Sequence, residues 1–122
     1  MARASINNGI LVVEFSTWER FFTLRRRVDI PVTAVREVAT VAPLSGVRGI
    51  RRHGITVSGL LRAGHWGHGA GTRQLVAVRR SVPAARVLVD PAAGLPFDEI
   101  VVSLPDADAV VGAVRRGQEA PR

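Results

Sequence analysis

His65-Trp66-Gly67-His68 is the densest run of chemistry-bearing side chains, and with His53 it supplies three imidazoles, enough in number for a zinc or nickel site. On a helix a His-x-x-His pair would share a face. Here the glycines around it make a turn, which loses entropy when it is ordered around an ion. We read it as a solvent-exposed hairpin tip and expect no metal. Trp66 in that tip is either an anchor for a partner or a cap folded back on its own strands.

The nucleophiles are limited to serine and threonine, because the chain has neither lysine nor cysteine. No Gly-x-Ser-x-Gly elbow and no phosphate loop occurs. Lack of cysteine also excludes a disulfide framework and thiolate-ligated zinc. Two carboxylate pairs stand out, Asp98-Glu99 and Asp106-x-Asp108. The second falls in a first helical turn, where negative charge complements the helix N-terminus without any chemistry. Glu14 and Glu37 stand alone on strand patterns. We therefore expect no catalytic residue and no cofactor, and no enzyme.

All 17 basic residues are arginine, and the formal charge is +7. With abundant alanine, valine and glycine, this arginine use reflects a GC-rich genome as much as recognition. A field of that sign draws polyanions without regard to their sequence, and it also opposes self-association. The arginines gather in three groups, Arg25 to Arg27, Arg48 with Arg51 and Arg52, and Arg79 with Arg80. They would form one surface if they converged at one end of the fold. The candidate binding residues are Arg48, Arg51, Arg52, Trp66, Arg79 and Arg80. Nucleic acid is disfavoured as a partner, since no aromatic side chains interleave with the arginines as a stacking platform requires.

These residues must be positioned by a single domain, since 122 residues suffice for one core. A composition 47% hydrophobic and 22% charged is that of a globular chain. No apolar run reaches the roughly 20 residues that span a bilayer. Arg3, Ser5, Asn7 and Asn8 break up any secretory leader, so the expected location is cytoplasmic, with a membrane-peripheral variant.

Asn8-Gly9 has the two residues that a type I′ hairpin turn favours, between a short start at Ala4 to Ile6 and a strand from Ile10 to Phe15. Leu11, Val13 and Phe15 would face the core. Ser16 and Glu19 have capping-box spacing, which predicts a short helix through Leu24, although its aromatic and β-branched residues also suit a strand. Val28 to Val32 and Val35 to Val41 read as strand pieces on either side of a kink at Pro31, the first near a sheet edge. Pro43 to Gly54 reads as a basic loop, Ile55 to Leu61 as a strand, Gly64 to Gly71 as a turn, and Leu75 to Val78 as the returning strand. Val87 to Val89 and Ile100 to Leu104 complete seven strands, with a turn at Asp90 to Gly94 between them. Ser103 and Asp106 have capping spacing again, Pro105 suits a first turn, and Leu104, Ala107, Val111 and Val114 recur at helical intervals. Arg115 and Arg116 complement the helix end, and Gly117 would close it in a left-handed conformation.

Ser16-Thr17-Trp18-Glu19 followed by Val28-Asp29-Ile30-Pro31-Val32-Thr33-Ala34-Val35-Arg36-Glu37-Val38 resembles the bacterial pleckstrin-homology-like domains. The likeness continues through Gly49-Ile50-Arg51, His53-Gly54-Ile55, the strand from Leu75 to Arg79, and Ile100-Val101-Val102-Ser103-Leu104-Pro105-Asp106. Members of that family often carry a Gly-Thr and Pro-Gly pair after the central arginine, where this chain has His53-Gly54-Ile55-Thr56 and Ser58-Gly59. The resemblance implies a mainly β domain with a C-terminal α-helix, a seven-stranded barrel of two orthogonal antiparallel sheets capped by that helix. The domain is expected at residues 1–117, with 118–122, beyond the expected helix end, a disordered tail. Family members that hold inositide headgroups do so with basic residues on the loop between the first two strands, and Asn7-Asn8-Gly9 has none. Such scaffolds bind lipid or peptide or self-assemble, and fold does not fix which. The expected function is a noncatalytic interaction module that binds a protein partner or another copy of itself through an open sheet edge or barrel-end loops. The alternative is a peripheral binder of anionic lipid that uses the arginine clusters.

Overall fold

The computed structural model describes residues 2–16, 19–20, 23, 26–42, 50–57, 61–67, 73–95 and 97–119, and for 50–57 and 61–67 it is the backbone that is described. The strands are β1 (Arg3–Asn7), β2 (Ile10–Glu14), β3 (Arg27–Pro31), β4 (Val35–Val41), β5 (Ile50–Val57), β6 (Leu61–Gly67), β7 (Arg73–Arg79), β8 (Ala84–Val89) and β9 (Glu99–Ser103), followed by helix α1 (Ala107–Glu119). They form a three-stranded sheet of order β1-β2-β3 and a six-stranded sheet of order β4-β8-β9-β7-β6-β5. The chain is thus mainly β with a C-terminal helix. No helix among the described residues is long and apolar enough to cross a membrane.

The small sheet follows from its sequence. Asn8 and Gly9 adopt positive φ, 51° and 76°, so a two-residue turn joins β1 to β2 with Asn7 opposite Ile10. Leu11, Val13 and Phe15 are buried and Glu14 is exposed, as period-two alternation expects, while Val12 on the other face is buried as well. Ser16 caps the short helical segment that contains Glu19, Arg20 and Thr23. Its N–H and Oγ both donate to the buried Glu19 Oε1, at 2.9 and 2.7 Å. Pro31 ends β3, and a 3-10 turn over Val32–Ala34 leads to β4 in the other sheet.

The large sheet departs from expectation in three places. It is not wholly antiparallel, because β7 and β9 run parallel, with Leu75 opposite Ile100 and Ala77 opposite Val102. Leu75 to Val78 and Ile100 to Val102 are unbroken apolar runs, the pattern of strands buried on both faces. Leu75, Ala77, Ile100 and Val102 join the main core, and Val76, Val78, Val101 and Ala84 form a second cluster, all with no more than 1% exposed. The second departure is that Ile50 to Gly54 is strand rather than loop, and Gly64 to Gly67 is strand rather than turn. Glycine does not stop a strand that is held by ladders on both sides, and β6 lies between β5 and β7. The third is that, among the described residues, the two sheets do not close into a barrel.

Both sheets and α1 nevertheless share one core, which joins Leu11, Val13 and Ile30 to Val87, Val89 and Ile100 and to Leu104, Ala107, Val111 and Val114 of the helical region. Truncating a side chain such as Ile100 there costs about 2–5 kcal/mol. Two helix expectations are corrected. Ser103 is not a cap, because its Oγ accepts from Arg79 N–H at 2.9 Å and donates to Val82 O at 3.0 Å. Gly117 is not a left-handed terminus, because the helix runs on to Glu119. A Cβ at Gly117 would meet Val32 Cγ1 at 3.3 Å, so the helix end lies close against the 3-10 turn. The helix thus extends two residues into the stretch expected as a tail, and residues 120–122 lie outside the described residues.

Candidate functional site

The proposed arginine surface is divided by the register of the large sheet. Arg51 lies opposite Trp66, and Trp66 opposite Gln74, while Arg52 occupies the register shift between Arg51 and His53. Arg79 lies opposite Leu61, at the far end of the same ladder. Five residues separate Gln74 from Arg79 along β7, about 17 Å at 3.3–3.4 Å per residue. Trp66, Arg51 and Arg52 therefore sit together at one end, with Arg79 and Arg80 at the other. Arg48 lies outside the described residues, as does Arg25, whereas Arg27 begins β3 of the small sheet and Arg26 lies in the bend just before it.

Other arginines are structural. Arg86 Nε pairs with Glu99 Oε1, with 21% of the arginine side chain exposed and 0% of the glutamate. Gln74, also buried, lies beside Glu99 in the parallel register. Arg73 holds Asp98 through its backbone N–H at 3.1 Å and its Nε at 3.6 Å. The Asp98-Glu99 pair is thus split between two arginines rather than joined for acid-base work. Arg27 donates to Asp29 at 3.0 Å, and that hydrogen bond, reinforced by the carboxylate charge, pushes the guanidinium above its ordinary value. Asp108 accepts from Thr40 Oγ1 at 2.6 Å, so it ties α1 to β4 besides complementing the helix dipole.

The histidines are brought partly together. His53 and His65 stand opposite each other across β5 and β6, and His68 lies outside the described residues. Among the described residues no group of three or more histidine or carboxylate side chains is placed to hold a metal.

The sheet edges differ more than the sequence suggests. On β4 the edge is closed by α1, whose Arg115 Nη2 donates to Val38 O at 2.9 Å and whose Gln118 Nε2 donates to Val35 O at 2.7 Å. On β3, Pro31 removes one donor. Among the described residues, β1 and β5 each pair on one side only and carry no such closure. Beside β1 an open groove of about 510 Å³ is lined by Ala2, Arg3, Ala4, Pro105 and Asp106. None of these residues is among the candidate binding residues read from the sequence. The signal that could have found them is the alternation of Arg3, Ser5 and Asn7 with Ala4 and Ile6, which marks an edge strand with one wet face. No family model matches the chain, and no curated protein or solved structure does so either.

Proposed function

We propose that this chain is a noncatalytic interaction module that binds protein through an unpaired sheet edge, on a scaffold of pleckstrin-homology-like kind and in the cytoplasm. One contrast carries the reading: α1 spends two side chains closing the edge of β4, while among the described residues β1 and β5 stay open. An open edge offers backbone donors and acceptors to an added strand, and side chains at alternate positions give selectivity. The scaffold rests on the residue pattern quoted above and on a C-terminal helix packed into a core shared by two sheets. Because these sheets are open, binding is assigned to an edge and not to a barrel mouth.

No reaction is assigned, since the buried carboxylates Glu19 and Glu99 are engaged by Ser16 and Arg86. Association with anionic lipid is secondary. Arg51 and Arg52 lie at one end of the large sheet and Arg79 and Arg80 at the other, which suits diffuse attraction more than a built headgroup site. The test is amide hydrogen exchange on the free chain and on complexes isolated from the native cell. Protection gained along β1 or β5 is the expected result. Protection confined to other elements would refute edge binding.

A further inference from the structure

The outer edge of β1 can be written out residue by residue. Phe15 N–H donates to Arg26 O at 3.0 Å and Val32 N–H to Gly9 O at 2.9 Å, so the odd-numbered residues of β2 bond toward β3. Its even-numbered residues, Ile10, Val12 and Glu14, therefore bond toward β1, opposite Asn7, Ser5 and Arg3. That leaves the N–H and C=O groups of Ala4 and Ile6 directed off the sheet. The side chains of Ala4 and Ile6 are half-buried against the core, whereas Arg3, Ser5 and Asn7 are exposed.

Charge sets this edge apart from the rest of the molecule. The three strands carry Arg3 and Arg27 against Glu14 and Asp29, a net charge of zero, in a chain whose formal charge is +7. Arg3 also shares its groove with Asp106. An acidic partner gains little on a neutral surface, and a second basic chain meets the least repulsion there.

We propose that β1 pairs antiparallel with β1 of a second copy about a two-fold axis at Ser5, an inference that deepens the edge-binding function above and rests on it. In this register Ala4 faces the partner's Ile6, and each such pair exchanges both of its N–H···O bonds. Arg3 faces the partner's Asn7, and Ser5 faces Ser5, so no like charges are opposed. The two Arg3 side chains lie four residues apart along the ladder, about 13 Å at 3.3 Å per residue. That exceeds the ~8 Å Debye length at physiological ionic strength. The partner's hairpin end, from Asn7 to Gly9, lies over the groove between Ala2 to Ala4 and Pro105-Asp106. The symmetry repeats this contact, so a single self-complementary patch closes the dimer.

The chain has no cysteine, so Ser5→Cys introduces a single thiol. Across the two-fold axis residue 5 forms a non-hydrogen-bonded pair with its mate, Cα atoms about 4.5 Å apart, within the roughly 4.4–6.8 Å that a disulfide spans. Asn7→Cys puts its thiols about 13 Å apart. Sedimentation equilibrium is expected to give a concentration-dependent dimer. Mild oxidation with diamide should link S5C and leave N7C unlinked. Ser5→Lys, at an exposed position checked for native circular dichroism, should weaken the dimer by up to about fivefold by setting like charges opposite each other. A wild-type chain that stays monomeric up to its solubility limit overturns the proposal, as does a dimer indifferent to S5K or linked equally well through N7C. If the chain alone is monomeric but Ala4 and Ile6 amides are protected in a native complex, the second copy is wrong and edge binding stands. If those amides exchange freely in both settings, edge binding at β1 fails as well.

Discussion

Glu99 lies with 0% of its side chain exposed, and Arg86 supplies its ion pair from the neighbouring strand β8. Replacing Arg86 with methionine keeps much of the stem and removes the charge, leaving the carboxylate in the sheet interior without that partner. Breaking a buried pair in this way costs about 3–5 kcal/mol. Because 21% of Arg86 is exposed, water reaches that side and the lower end, about 3 kcal/mol, is the expected value. For 122 residues at about 2.1 cal/mol/K each, this lowers the thermal midpoint by about 12 °C. Glu99→Met alone should cost a similar amount, since it strands the guanidinium. The double variant R86M/E99M buries neither charge and should recover most of the loss, because apolar replacement of a buried pair is often neutral. Urea denaturation of the four proteins in a double-mutant cycle reads the coupling directly. A double variant that loses the sum of the two single losses would refute the view that the pair acts as one unit.

Removing the two side chains that close the β4 edge, as R115M/Q118M, should cost about 1–3 kcal/mol in urea denaturation, and light scattering should show added self-association through the uncovered edge. Gly117→Leu should destabilise by about 1–3 kcal/mol despite leucine's better helix propensity, because its Cβ meets Val32 at 3.3 Å, and thermal unfolding checks the sign. Ser16→Ala should lose about 1 kcal/mol by removing the Oγ–H that donates to the buried Glu19 carboxylate, with amide exchange near Glu19 faster than in the parent.

Features that depend on neighbours in sequence were legible. The Asn8-Gly9 turn, the inward set Leu11, Val13 and Phe15, the Ser16–Glu19 cap and the amphipathic stripe of α1 all follow from spacing within about ten residues. The misread segments depend on distant partners. Gly64 to Gly67 has turn composition, and it is strand because β5 and β7 flank it. Ser103 and Asp106 have capping spacing, yet Ser103 is drawn to Arg79 and Val82, which lie more than twenty positions earlier. The candidate site fared likewise. Arg51 and Trp66 do meet in register, but Arg79 lies at the other end of the ladder, and nothing in their sequence spacing encodes that separation.

By itself the sequence determined the class of the molecule: a mainly β chain with a C-terminal helix, no thiol chemistry, and a basic charge carried by arginine alone. These are consequences of composition and of periods of 2 and 3.6 residues, which act locally. Only the tertiary structure decided which strands became neighbours, that β7 and β9 run parallel, that Arg86 meets Glu99, and that the β4 edge is closed while, among the described residues, the β1 edge is open. Strand pairing is chosen by global burial and loop closure across long separations, and an alternating pattern fits many partners equally well until the core selects one.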